Sequence, residues 1–228
     1  MLLDALITIC HSNGLHVTAE EAKMMSGYAK LLSQWNSKIN LISRKDEAHI
    51  LDRHILHSLT LAMPGTSDHP ISGYDFRNKR ALDIGTGGGL PGIPLKIAIP
   101  SLDVTLVDST QKKIAAVNEM VIELGLTGIR VIAARAEDLA NSPEYAREYD
   151  VIVSRAVAPL EDLVKWSRGL LKPGGVLFSL KGGDLSEETR RANRLNYVSG
   201  IEVKALDLTG YSEFMREEKK LVRVNFSG

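Results

Sequence analysis

The run Arg80-Ala81-Leu82-Asp83-Ile84-Gly85-Thr86-Gly87-Gly88-Gly89-Leu90-Pro91-Gly92-Ile93-Pro94-Leu95 holds the residues with the clearest chemical purpose in this chain. A short apolar segment ends at Ile84, glycines follow, and a proline-led, helix-like segment begins. Bare backbone at a tight turn, followed by a helix N-terminus, lets a nucleotide-like ligand lie against main-chain N–H groups. Gly87, Gly89 and Gly92 fit the dinucleotide spacing G-x-G-x-x-G by count alone. The register argues against that ligand. Counted from the strand end at Ile84, the first glycine is Gly85, and the third glycine position of the dinucleotide pattern falls on Leu90. The pattern is instead Asp83-x-Gly85-x-Gly87-x-Gly89. An acid two residues ahead of the first glycine suits a cationic ligand group and would repel a pyrophosphate.

Further groups fall where they could complete such a site. The next apolar segment ends in Asp108, about 20 residues past the loop, where a carboxylate can hold both hydroxyls of a ribose. The plainer alternative for Asp108 is a strand-end turn or helix cap ahead of Ser109-Thr110. At the end of the third strand, Arg135-Ala136-Glu137-Asp138 can lay an adenine ring against main chain at Ala136 with Glu137 beside it. Acids at a helix start, favoured by the helix dipole, would look the same. Arg135, Arg155 and Lys181 all follow apolar segments, at the carboxyl edge where open α/β sheets bind ligands.

These residues need a scaffold, and the hydrophobic rhythm supplies one. The first sixty or so residues read as helices. Thr18 and Glu21 form a capping box, and Ala22, Met25, Tyr28, Ala29 and Leu32 recur at helical spacing as an apolar stripe. Trp35 reads as core on this element. A third helix is predicted from Asp46 to Met63. The stretch Pro64-Gly65-Thr66-Ser67-Asp68-His69-Pro70 breaks the pattern, and the chain reads as loop through Asn78.

From Lys79 onward, strands alternate with helices. Strands are predicted at Arg80–Ile84, Val104–Val107, Ile129–Ala133, Tyr149–Val153, Gly175–Leu180, Val203–Leu208 and Leu221–Asn225. Helices are predicted at Pro91–Ile99, Thr110–Leu124, Leu160–Leu171 and Leu185–Tyr197. Apolar strands alternating with helices imply a mostly parallel, doubly wound sheet of seven strands. No convincing helix separates the last two strands, so an antiparallel hairpin at one edge is expected. The division is a helical N-terminal element and linker over 1–76, then an α/β domain over 77–228.

Composition narrows the partners. Lys plus Arg equals Asp plus Glu at 28 each, so any anionic partner must be met by a local patch. Lys23, Lys30, Lys38, Arg44, Lys45 and Arg53 populate the helical element, and Arg190, Arg191 and Arg194 cluster further on. Each could also be an ordinary solvated charge balanced by nearby acids. The single cysteine, Cys10, excludes an internal disulfide and a cysteine-based metal site, and its apolar neighbours predict a buried thiol. The start lacks a basic n-region, and no apolar run approaches the ~20 residues that span a bilayer. A cytoplasmic, metal-free monomer away from any membrane is expected.

The Asp83–Gly89 spacing is typical of class I S-adenosyl-L-methionine (SAM)-dependent methyltransferases, which have a Rossmann-like fold. The chain as a whole resembles the bacterial 16S ribosomal RNA guanine-N7 methyltransferases, historically called glucose-inhibited division protein B. The resemblance runs through Trp35-Asn36…Asn40-Leu41-Ile42, Arg53-His54-Ile55-Leu56-His57-Ser58-Leu59, the loop Asp83 to Leu95 and Leu106-Val107-Asp108-Ser109 with Lys112-Lys113. It continues through Arg135-Ala136-Glu137-Asp138, Val153-Ser154-Arg155-Ala156 and Leu180-Lys181-Gly182. It implies cofactor contacts at Gly85, Leu90, Ala136, Glu137 and Arg155, beside Gly87 and Asp108 from the spacing. It implies functional polar roles for Asn40, His54, Arg135, Arg155 and Lys181. His57 departs from the family, which usually has an acid there.

The implied partner is 16S rRNA or the small ribosomal subunit, and the implied product is S-adenosyl-L-homocysteine. Guanine N7 has a lone pair and no proton, so in-line transfer needs no general base. The chain carries no Asn/Asp-Pro-Pro-Tyr tetrad after the fourth strand and no cysteine after the sheet strands, in agreement. Arg155 is expected to orient SAM or guanine, with Arg135 and Lys181 clamping phosphate or carboxylate groups. A methyltransferase for another substrate, or a ribosome-assembly factor without turnover, are the competing readings. An NAD-dependent oxidoreductase lacks an assignable catalytic acid or base.

Overall fold

A computed structural model describes residues 1–65, 67 and 70–227. Thr66, Asp68 and His69 of the predicted breaker lie outside the described residues. Seven strands form one sheet: β1 Arg80–Ile84, β2 Asp103–Asp108, β3 Ile129–Ala133, β4 Tyr149–Arg155, β5 Leu171–Gly182, β6 Val198–Ala205 and β7 Lys219–Phe226. Their order is β3-β2-β1-β4-β5-β7-β6. The first five pair in parallel, while β7 runs antiparallel to both β5 and β6.

Helix α1 (Leu3–Ser12) and helix α2 (Ala19–Asn36) precede the sheet, and α2 opens on the predicted capping box. Thr18 Oγ1 accepts from the Glu21 N–H at 3.2 Å, and the Glu21 carboxylate accepts from the Thr18 N–H at 2.8 Å. Such a cap stabilises a helix by about 1 kcal/mol. Between the strands lie α4 (Gly92–Ala98), α5 (Gln111–Glu123), α6 (Ala136–Ala140), α7 (Leu160–Leu170), α8 (Ser186–Ala192) and α9 (Glu213–Arg216).

The predicted third helix is helical but not a regular α-helix. It is a 3₁₀ segment at Arg44–His49, a π segment at Ile50–Leu56, one α turn at His57–Leu59 (α3) and a 3₁₀ turn at Thr60–Ala62. Periodicity found the helix and missed its wide centre, a form often met at functional sites. Other bounds also move, with β5 beginning at Leu171 rather than Gly175. Helix α8 stops at Ala192, ahead of the turn-forming Asn193 and Asn196. Strand β6 accordingly starts at Val198 and ends at Ala205, and Leu206 and Leu208 leave the sheet to be buried in the core. The expected hairpin is present with the one-turn α9 inside it, and β7 is the inner strand of the pair.

Side chains alternate across each strand, so successive residues serve opposite apolar layers. Ala81, Val151, Val153, Val176, Phe178 and Leu180 face a layer built with α1, α2, the composite helix, α4 and α5. Leu82, Ile84, Ile152 and Leu177 face the layer under α6, α7 and α8. The N-terminal helices thus share one continuous core with the sheet. Asn13 adds a polar tie to the β6–β7 connection, its amide exchanging hydrogen bonds of 3.1 and 3.0 Å with the Thr209 backbone. Cys10 is buried as predicted, and burial pushes its thiol up to about 12.

Candidate cofactor and catalytic site

A cleft of about 500 Å³ opens at the carboxyl ends of β1, β2, β3 and β4. Its floor is the glycine turn. Gly85 has φ +69°, and a Cβ there would stand 2.5 Å from a Val157 methyl, so both conformation and space demand glycine. Val157 follows Ala156, which itself adopts φ +52°, an unusual and strained conformation for a residue with a Cβ.

The turn is held from three directions. Asp108 Oδ2 accepts from the Gly87 N–H at 3.1 Å, and its Oδ1 accepts from the Thr110 N–H at 2.9 Å. The Tyr28 hydroxyl donates to the Gly88 carbonyl at 2.8 Å. Asp83 Oδ2 accepts from Thr86 Oγ1 at 2.7 Å and from the Gly92 N–H at 2.9 Å.

This last geometry corrects the expected role of Asp83. It does not face a ligand cation. It lies on the Ala81 face of β1 and is fully buried beneath the turn, bracing the turn and the first residue of α4. Burial raises its carboxyl to about 7, against the pull of Thr86, Gly92 and Arg155.

Gly85, Gly87, Leu90, Asp108, Arg135, Ala136, Glu137 and Arg155 all line the cleft. Arg135 is the exposed N-cap of α6, and Ala136 is the buried first residue of that helix. Three candidates do not line it. Asn40 is exposed on an adjoining shallow groove formed by 40–44, and Leu41 is a wall shared by groove and cleft. His54 is buried behind Arg155. Lys181 stands on the Leu177 face of β5, opposite to the face that carries Arg155, with its ammonium 2.6 Å from Glu188 and donating to the Ala158 carbonyl at 2.9 Å. Glu188 also accepts from the Leu160 N–H at 3.0 Å. Lys181 therefore ties down the segment that follows Arg155, and a ligand contact there would have to displace Glu188.

Arg155 is the hinge between the cleft and the composite helix. Its Nη1 donates to the Arg53 carbonyl at 3.1 Å, and its Nη2 donates to His54 Nδ1 at 2.6 Å. A guanidinium cannot accept, so His54 carries its proton on Nε2, which lies 3.7 Å from Asp46. Burial first, then the charge of Arg155, holds His54 down at about 3. His57 is buried against Phe214, and burial with nearby Arg155 and Lys219 drives it well below its usual value. His57, where the resemblance implies an acid, is thus a buried neutral ring.

These groups set a pH dependence. Unfolded histidines bind protons near pH 6.5 that folded His54 and His57 refuse, so stability falls as pH drops below that value. Asp83 has the opposite sign, because the fold keeps its proton up to about 7 while the unfolded carboxyl loses it near 3.8. Below 6.5 Asp83 opposes the two histidines, and with two rings against one carboxyl the balance is a loss of stability on acidification. Denaturant unfolding from pH 6.5 to 5, above the range of the ion-paired carboxylates, should show this downward slope, and His57→Leu should flatten it. An unchanged slope in that variant would contradict the assignment.

Sequence reading missed several working residues. Tyr28 was hidden in an apolar stripe, where nothing in the spacing marks its hydroxyl. Asn36 is buried, and its Oδ1 accepts from the N–H groups of both Leu41 and Ile42 at 2.9 Å, shaping the 40–44 groove. Trp166 of α7 lines the cleft without any preceding signal. Trp35 is half-buried, with the Lys38 ammonium 4.6 Å from its ring centre. The basic residues divide: Arg53 pairs with Asp46 and Glu217, and Arg190 and Arg191 share Glu187. Arg44 lines the groove, and Arg135 and Lys113 line the cleft.

The sheet order, the antiparallel β7 and the cleft at the glycine turn define a class I methyltransferase. Solved structures share the fold: a predicted O-methyltransferase from Agrobacterium tumefaciens has TM-score 0.55 at 17% identity, covering 68% of this chain and 76% of that one. Precorrin-6y C5,15-methyltransferase from Geobacter metallireducens has TM-score 0.53 at 11% identity, covering 83% and 92%. The family described as "GidB: rRNA small subunit methyltransferase G" matches residues 21–216, and the chain belongs to it. Among its relatives, Ribosomal RNA small subunit methyltransferase G of Chlorobium limicola is 40% identical, covering 96% of each chain. The protein of that name from Chlorobaculum tepidum is 44% identical, covering 83% of this chain and 82% of its own.

Proposed function

We propose that this protein transfers the methyl group of SAM to N7 of a guanine in 16S rRNA of the small ribosomal subunit. The observation that carries the reading is the convergence of the glycine turn, Asp108, Ala136 and Arg155 on one cleft in a chain of this family. The cleft suits SAM in size and chemistry. Asp108 keeps free lone pairs beside the N–H groups it accepts, enough for a ribose diol. Ala136 offers main chain to an adenine, and Leu90 and Val157 provide apolar walls.

SAM supplies an electrophilic methyl, and the protein's task is alignment and exclusion of water. His54 supports a reaction without a general base, because its acceptor nitrogen is occupied by Arg155 and its ring is neutral and buried. Two guanidinium hydrogens of Arg155 are used by Arg53 and His54, which fixes its plane and leaves the others for guanine O6, the acceptor beside N7. Residues 1–76 then form the acceptor-facing element, with Asn40 and Arg44 on the approach, and 77–228 form the methyltransferase domain.

Mass spectrometry of small-subunit rRNA from cells lacking the protein should show one missing 7-methylguanosine, restored by re-expression. An unchanged modification profile would refute the reading.

A further inference from the structure

Helix α2 touches both halves of the site. Its middle seats on the glycine turn, where the fully buried Tyr28 donates its hydroxyl to the Gly88 carbonyl at 2.8 Å. One turn later, the fully buried Leu32 lies so close to Gly88 that a Cβ there would meet its methyl at 2.6 Å. A Cβ on Gly89 would come within 3.4 Å of the Tyr28 oxygen. Its last residue, Asn36, holds the backbone of Leu41 and Ile42. Leu41 in turn is the wall common to the cleft and the 40–44 groove. A single helix therefore carries two polar anchors about two turns apart, one on the turn under the cleft and one on the loop that lines the groove.

We propose that Tyr28 is a positioning residue for the transfer reaction: through its bond to Gly88, α2 sets the glycine turn in register with the 40–44 groove. The inference rests on the reading of the cleft as the SAM site. The Gly88 carbonyl faces away from water, so its partner cannot be replaced by solvent at no cost. Without the hydroxyl, the turn keeps its brackets at Gly87 and Gly92 but loses the one between them. A looser turn binds cofactor less well, because its ordering must then accompany binding. The same anchor makes the arrangement reciprocal: an acceptor that fixes the 40–44 loop also favours the ordered turn.

The test is Tyr28→Phe, which keeps the ring and removes the hydroxyl. Calorimetric titration with S-adenosyl-L-homocysteine should show binding weakened about five- to tenfold relative to wild type. Hydrogen exchange at the Gly89 and Leu90 amides, both donated to the Thr86 carbonyl, should quicken while the β1 and β4 amides keep their protection. Leu32→Ala, which loosens the same contact without touching a polar group, should produce a milder weakening of the same kind. The KM for SAM should rise more than kcat falls. A residue that merely stabilises the fold would lower the melting temperature and leave product affinity unchanged; that result overturns the inference. Failure of the wild-type protein to bind the product would instead overturn the SAM reading.

Discussion

Arg155→Ala should lower methyl transfer from labelled SAM to small-subunit RNA by about a hundredfold or more at saturating cofactor. Arg155 lies on the Val151 and Val153 face of β4, so its side chain turns toward the composite helix, where Arg53 and His54 receive it. Alanine removes the group that faces the cleft and also leaves the His54 acceptor nitrogen buried without a donor. Lysine should rescue little, because a point charge cannot bridge the Arg53 carbonyl and His54 while presenting further N–H groups in the same plane. Because Arg155 acts on alignment, the loss should fall on kcat, with product binding changed by less. Wild-type turnover in Arg155→Ala would sink the mechanism.

The second large effect belongs to Asp108. Asp108→Ala should weaken binding of S-adenosyl-L-homocysteine by about a hundredfold or more, since hydrogen bonds to a charged group contribute about 1.5–3 kcal/mol each. The carboxylate already spans the Gly87 and Thr110 N–H groups, so its removal frees the turn as well as the ribose contact. Asp108→Glu should not restore affinity, because the added methylene moves the carboxylate out of reach of Gly87. Calorimetry with the product, paired with a melting curve, separates lost binding from lost fold. Unchanged affinity in Asp108→Ala would place the ribose elsewhere.

Much of this site was legible in the sequence because it is built from backbone. Glycines that need positive φ, a strand end and a helix start each leave a local mark, and so the floor of the cleft and Asp108 could be found by counting. What escaped depends on which face of a strand or helix a side chain occupies. Strand alternation, applied to Ala81 and Asp83, would have turned Asp83 under the loop rather than toward a ligand. The same alternation separates Arg155 from Lys181, which stand on opposite faces of neighbouring strands. Tyr28 and Glu188 were invisible for another reason. Their partners lie 60 and 28 positions away, and only the assembled chain brings a hydroxyl to Gly88 or a carboxylate to Leu160. The composite helix was found by its apolar spacing, but a π segment has no periodic signature strong enough to separate it from an α-helix over seven residues.

The position of β7 has a consequence for how the protein is made. Strand β7 is inserted between β5 and β6, which are both synthesised before it. Until Lys219–Phe226 emerges, β5 presents an unpaired edge and β6 has no neighbour to join. A nascent chain therefore holds its cleft-forming strands beside an open, apolar seam, vulnerable to pairing with other chains. A chain that lacked Lys219–Phe226 would leave both the β5 edge and β6 without a partner, so the sheet could not close.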